Sequence, residues 1–262
     1  MLLAIDIGNT HTVYGIYDGA SLLADWRVTS FVQRTEDEVG SSLRHFLRDA
    51  AIEPKSIREI GISSVVPNLT DIYLVMAKKY FDLEPTIVHS ALDLGIAIQY
   101  TDPTAVGADR LCNAIAGYAK YGGPLIIIDF GTATTYDVVA GNGDYLGGVI
   151  APGVETSAAD LHRRAAKLPK VELHFPDEIV GRDTVSSMQA GILYGAIDAM
   201  EGMVNRLQSE MKKREGTRAR VIATGGFCGF LTENSKSIDA CEPSLVLEGI
   251  RLICERLKKS KR

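Results

Sequence analysis

Only four cysteines occur in 262 residues, Cys112, Cys228, Cys241 and Cys254, and no two of them stand in a CxxC spacing. Such scarcity argues against a disulfide framework, which belongs to short secreted chains, and against a structural zinc site, whose ligands lie closer together. The four therefore read as reduced thiols packed in or near a core. Basic residues are not in excess either: 28 Lys and Arg stand against 33 Asp and Glu, a formal net charge of −5. Proteins that work on nucleic acid or on an anionic membrane surface present a basic face, so neither partner is expected. The basic stretch from Lys258 to Arg262 reads as a solvated helix end. Long apolar runs are missing too. Met1-Leu2-Leu3-Ala4-Ile5 stops at Asp6 with no basic segment before it, too short for a signal sequence or a membrane span, which points to a cytoplasmic protein. Neither GxxxxGK[ST] nor GxGxxG occurs, so a P-loop kinase is excluded and a dinucleotide fold has no support. The histidines, His45, His89, His162 and His174 besides His11, are too scattered to suggest a metal site.

What the sequence does contain is a repeated opening. Leu2 to Ile5 leads into Asp6-Ile7-Gly8-Asn9-Thr10, and Leu125 to Ile128 leads into Asp129-Phe130-Gly131-Thr132-Ala133, half a chain later. In both places a buried-strand pattern ends in Asp-apolar-Gly and then hydroxyl residues. Strand-rich stretches follow each: His11–Tyr17 and Ser21–Val28 with Asp18-Gly19 as turn, then Thr134–Val139 and Tyr145–Ile150 with Gly141-Asn142-Gly143-Asp144. Thr35 to Glu38 is a capping box, and Val39, Leu43, Phe46 and Leu47 then share one helical face. A strand over Ile60–Val66 and a helix from Pro67 to about Tyr80 complete the first half. In the second half a strand over Arg220–Thr224 precedes Gly225-Gly226, which opens a helix, and a last helix spans Leu245–Leu257. The division expected is 1–118 and 119–262. Each half is three strands, a helix, a strand and a helix. A unit duplicated in this way describes the acetate and sugar kinase, heat-shock ATPase and actin superfamily. The expected fold is α/β: duplicated ribonuclease-H-like, actin-like ATPase domains, each a mixed sheet flanked by helices, with the active site in the cleft between them.

An ATP-using kinase has to bind phosphates, hold a metal ion and present an acceptor hydroxyl in line. Gly8-Asn9-Thr10-His11-Thr12 suits the phosphates, because glycine lets backbone approach and Asn9, Thr10 and Thr12 carry side-chain donors. Asp6 at a strand end can orient magnesium, directly or through water. Gly131 to Thr135 has the same character. Gly225-Gly226 suits the adenosine end of a nucleotide or a plain helix-opening turn. Asp109, in Val106-Gly107-Ala108-Asp109-Arg110, is the candidate general base; taken alone, an Asp-Arg pair in a first helical turn also reads as dipole stabilisation or a surface ion pair.

Several segments together resemble the type III pantothenate kinases. They are Asp6 to Thr10, Ser63-Ser64-Val65-Val66-Pro67, Gly107 to Arg110, Asp129 to Thr135, Gly147 to Gly153, Ala165 to Pro169, Gly181 to Thr184, Gly191 to Gly195 and Thr224 to Gly226. They keep the family's order over nearly the entire chain, and GADR joined to DFGTATT is specific. The resemblance implies phosphorylation of pantothenate by ATP, the first step towards coenzyme A. It implies ATP binding by Asp6, Ile7, Gly8, Asn9, Thr10, His11, Thr12 and Val13, with Thr132 from the second half. Asp109 would be the proton acceptor. Gly107, Ala108 and Arg110 would bind pantothenate, Arg110 through the substrate carboxylate, with Tyr100 and Thr184 in the same pocket. Asp129 would ligate a monovalent cation, K+ or NH4+, and Asp6 would serve Mg2+. It also implies a homodimer through the helical run at 186–213. There Met188, Ile192, Ala196, Ala199, Met203, Leu207 and Met211 form an apolar stripe, and Gly191, Gly195 and Gly202 permit close approach. His11 departs from the Asn usual in the family. The rival readings are another small-molecule kinase of the superfamily and a non-catalytic regulatory homologue.

Overall fold

The apolar run after Met1 forms strand β1 (Leu2–Ile7), buried on both faces because it lies at the centre of a sheet. It pairs antiparallel with β2 (His11–Asp18) and parallel with β4 (Glu59–Ser64). Strand β3 (Ser21–Thr29), exposed at alternate residues, flanks β2, and the short β5 (Thr86–Ile87) flanks β4. The order is β3-β2-β1-β4-β5. Helix α1 (Glu36–Asp49) opens with the expected capping box: the Glu38 amide donates to Thr35 Oγ1 at 3.3 Å and the Thr35 amide to Glu38 Oε2 at 2.7 Å. It buries Val39, Leu43 and Leu47 in a core shared with Ile5, Tyr14, Tyr73 and Met76. Helix α2 (Pro67–Phe81) starts on a proline, tolerated where a first-turn amide has no helical partner. Helix α3 (Ala108–Tyr121) follows an irregular stretch.

This computed structural model describes residues 1–260 and divides into two units, Met1–Ala119 with the chain from Leu245 onward, and Lys120–Ser244. The second unit repeats the sheet. Strand β6 (Leu125–Phe130) pairs antiparallel with β7 (Ala133–Val139), which pairs with β8 (Tyr145–Pro152). On its other side β6 runs parallel to β9 (Arg220–Gly225), which carries β10 (Ala240–Cys241). Read as β8-β7-β6-β9-β10, the order matches the first sheet. The duplication implied by the two Asp-apolar-Gly segments is therefore a duplication of topology.

Helix α5 (Thr184–Glu215) contains the expected 186–213 run and stops at Gly216, whose φ of +74° suits a left-handed cap. Its deepest face is offset from the expected stripe. Met188 and Met211 of that stripe are buried, but between them the buried residues are Leu193, Ile197, Met200 and Val204, whereas Ile192, Ala196, Met203 and Leu207 pack only at the margin of that core and Ala199 is exposed. Helix α4 (Val154–Arg164), polar along most of its length, has no counterpart in the sequence reading. After Gly225-Gly226 comes only the short α6 (Cys228–Thr232).

Two expectations need correction. Helix α7 (Leu245–Ser260) belongs to the first unit and not to a 119–262 domain. Its face of Leu247, Ile250, Ile253 and Cys254 is buried, and two glycines let it settle. A Cβ on Gly61 would stand 2.5 Å from Ile250 and 2.7 Å from Cys254 Sγ, and one on Gly249 would stand 2.2 Å from the Cys112 carbonyl oxygen. Chain order alone does not reveal which sheet a terminal helix covers. Secondly, Cys228 and Cys241 form a disulfide, because α6 and the parallel strand β10 bring their Cα atoms to 6.1 Å. Cys112 and Cys254 are free and buried.

Lys258 and Lys259 are exposed and pair with Glu59 and Glu255; the last two residues of the basic stretch, Lys261 and Arg262, lie outside the described residues. Among the described residues no helix is long and apolar enough to cross a membrane.

Candidate active site

In the first unit the β1–β2 turn is closed by the Gly8 amide, which donates to the His11 carbonyl at 3.0 Å. A Cβ on Gly8 would stand 2.9 Å from that oxygen, so the tight turn depends on glycine. Asn9 and Thr10 are exposed at its tip, and His11 is half-buried. The Ser30 amide donates to the Thr10 carbonyl at 2.9 Å and braces the turn from β3. Thr12 behaves differently from the expectation that it offers a side-chain donor. It is 1% exposed, and its hydroxyl is engaged with Ser30 Oγ at 2.8 Å and with the Tyr73 hydroxyl. Strand alternation turns it inward, where it holds the turn. Ile7 is likewise a core side chain, and Val13 is a half-buried strand residue paired with Asp6. Asp6, Asn9, Thr10 and His11 are the side chains left at the surface of this loop.

Asp6 is half-buried at the end of β1, and the Ser63 hydroxyl of β4 donates to its Oδ1 at 2.9 Å. The Cys112 thiol of α3 is fully buried, and its pKa is pushed well above the usual range, first by burial and then by the charges of Asp6 and Asp109. Both carboxylates thus lie within electrostatic reach of one buried sulfur. Asp109 sits in the first turn of α3, where burial raises its pKa against the lowering effect of the Arg110 amide on Oδ1 (2.8 Å) and of the Arg110 charge. A carboxyl raised in this way is a better proton acceptor than a solvated one. Gly107 makes room for it, since a Cβ there would stand 2.5 Å from Asp109 Oδ1. Arg110, 7% exposed, and Ala108 are buried beside it. Tyr100 is exposed on the irregular stretch between β5 and α3.

The second unit holds the matching loop. Asp129 ends β6, half-buried, opposite Thr135 of β7 and Thr224 of β9. Gly225 has a φ of +88°, and a Cβ there would stand 2.5 Å from Asp129 Oδ1. Thr132 is exposed, and its carbonyl accepts the Gly153 amide at 3.1 Å and the Thr156 hydroxyl at 2.6 Å. A Cβ on Gly153 would meet Gly131 O at 2.3 Å, so the start of α4 is pressed onto this loop. Gly153 and Thr156 brace Thr132; the sequence analysis placed Gly153 in a family segment without a role for it, and gave Thr156 no part. Thr184 lies at the start of α5, after its cap Asp183, and lines a cavity of about 1020 Å³ with Phe130, Tyr136, Met188 and Ile192.

Among the described residues no group of three or more His, Cys, Asp or Glu gathers as a metal cage.

Comparison with known proteins bears on fold and family. Fold likeness comes from a Campylobacter jejuni protein described as a Baf family transcriptional activator (TM-score 0.60, 16% identity, 98% of this chain and 99% of that one). Another is the activator of 2-hydroxyisocaproyl-CoA dehydratase from Clostridium difficile with bound ADPNP (TM-score 0.53, 13% identity, 99% and 97%). At such identities these speak for the fold alone: two mixed sheets flanked by helices. Sequence relatives go further. The type III pantothenate kinase of Geobacter sulfurreducens is 47% identical over 98% of this chain and 99% of its own length. That of Moorella thermoacetica is 45% identical with the same coverage. With the type III pantothenate kinase profile also matching residues 2–206, this chain belongs to the type III pantothenate kinase family.

Proposed function

We infer that the protein transfers the γ-phosphate of ATP to the primary hydroxyl of pantothenate, giving 4'-phosphopantothenate at the start of coenzyme A synthesis in the cytoplasm. The observation that carries the reading is Asp109: a carboxyl with a raised pKa in the first turn of α3, sharing the buried Cys112 thiol as an electrostatic neighbour with Asp6.

From the first unit, the Gly8–His11 turn supplies backbone and side-chain donors to the phosphates, with Ile7, Thr12 and Val13 contributing through the strand backbone. Gly107, Ala108 and Arg110 bind pantothenate, the Arg110 guanidinium taking its carboxylate, and Tyr100 adds a wall. Asp109 accepts the hydroxyl proton as the phosphoryl group leaves ATP. From the second unit, Thr132 contacts the nucleotide and Thr184 the substrate. Magnesium bound with ATP supplies neutralisation of phosphate charge, and Asp6 holds it, directly or through water. Asp129 takes K+ or NH4+. Homodimerisation through α5 is supported by its open face: an added Cβ on Gly191, Gly195 or Gly202 would meet nothing, and Ile179, Val180 and Val185 beside its start are exposed.

Asp109→Asn tests the reading. Turnover should fall on the order of 10²- to 10⁴-fold, with the KM for pantothenate little changed. Turnover near that of the wild type would remove Asp109 as the base. A panel of sugars and hydroxy acids separates pantothenate from the substrates of other kinases of this fold.

A further inference from the structure

Ser63 is a fully buried hydroxyl in the strand Glu59–Ser64, among Ile60, Gly61 and Ile62. A hydroxyl without a partner there would cost stability, so its bond is informative. It donates to Asp6 Oδ1 at 2.9 Å, from the register position directly beside Asp6 across the parallel β1–β4 pair. In a parallel pair, side chains in register leave the sheet on the same face, so the bond follows from topology. The second unit repeats the placement. Asp129 stands in register with Thr224 across the parallel β6–β9 pair, and Thr224 is also a buried hydroxyl, 2% exposed. In each unit, then, the strand-end aspartate has a buried hydroxyl residue as its parallel neighbour. The duplication has kept a side-chain chemistry as well as a strand order.

We propose that Ser63 is a positioning residue for magnesium binding: its hydroxyl holds the Asp6 carboxylate in the one orientation that receives the ion accompanying ATP. An aspartate at a strand end can turn about χ1 and χ2, and one fixed hydrogen bond to Oδ1 removes most of that freedom. The proposal rests on the phosphoryl-transfer reading above for the role of Asp6, and adds the residue that makes the role work.

Ser63→Ala is compared with the wild type and with Ser63→Thr. Two readouts are followed against magnesium concentration: pantothenate phosphorylation, and the rise in melting temperature produced by ATP. For Ser63→Ala both midpoints should move to roughly 10- to 100-fold higher magnesium, the usual effect of losing a group that orients a metal ligand. The KM for pantothenate should stay within about twofold, and Ser63→Thr, which restores a hydroxyl, should return both midpoints towards the wild type. Wild-type magnesium midpoints in Ser63→Ala would overturn the proposal, as would an equal loss of affinity for pantothenate, which would mark a purely structural role. If Ser63→Ala fails to fold, Ser63→Cys keeps the volume with a weak donor; it should show the same shift, and its absence counts equally against the idea. Should the wild type not phosphorylate pantothenate at all, the ATP melting series still decides the question for Ser63.

Discussion

Asp109 carries the strongest prediction at the scale of a residue, because its raised pKa acts on catalysis and on stability in opposite senses. The base must be ionised to accept a proton, so the acid limb of turnover should lie above the ordinary carboxylate range. Folding raises this pKa, so folding favours the protonated form: ionised Asp109 weakens the fold at neutral pH, and the penalty shrinks as pH falls below the raised value and is gone below the ordinary carboxylate range. Asp109→Asn should therefore melt higher than wild type at pH 7 while losing turnover, with the gap in melting temperature closing in acid. A variant that melts lower at pH 7 would contradict the assignment of burial as the cause. At Gly225 a positive φ and the neighbouring Asp129 carboxylate exclude a side chain, so Gly225→Ala should lower both melting temperature and any activation by potassium. Residue types were largely legible in the sequence: Asp6, Asp109 and Asp129 all sit at element ends, as their motifs implied. Orientation was not. Thr12 looked like a phosphate donor until strand alternation turned it towards Ser30 and Tyr73, and nothing in Ser63-Ser64 said which hydroxyl meets Asp6.

Helices and strands were legible where local chemistry punctuates them. The Thr35 box, Pro67 and Asp18-Gly19 each mark a boundary through a local bond or a restricted dihedral, and the structure follows them. Helix α4 was missed because its length is polar and only Val154 is buried, which leaves little apolar period to read. In α5 the period was seen and its ends, Met188 and Met211, are buried, but the middle was placed one residue away from the deepest face, because apolar and small residues occupy most of the helix circumference. That offset gives a test. Leu193→Ala empties a site with 0% exposure and should cost about 2–5 kcal/mol of stability. Ala199→Arg, on the exposed side that lines the cavity, should leave monomer stability nearly unchanged and break the dimer proposed through α5, seen as halved mass in sedimentation. A dimer that survives Ala199→Arg would place the contact elsewhere.

For the whole molecule, the duplicated sheet order was legible because the same Asp-apolar-Gly punctuation opens both units and constrains each β1–β2 type hairpin. The return of α7 to the first unit was not, since the decision is made by Gly61 and Gly249, which leave space for a helix from the far end of the chain. Removing the chain from Leu245 onward should accordingly raise amide exchange in β1 and β4 and leave β6 and β9 protected. The central claim, a pantothenate kinase with a cation site at Asp129, is tested most directly by ATP-dependent phosphorylation of pantothenate with magnesium, first in potassium and then in sodium buffer. The account predicts turnover in potassium that collapses in sodium. Equal turnover in both buffers would remove the cation site, and folded protein with no turnover in either would contradict the account as a whole.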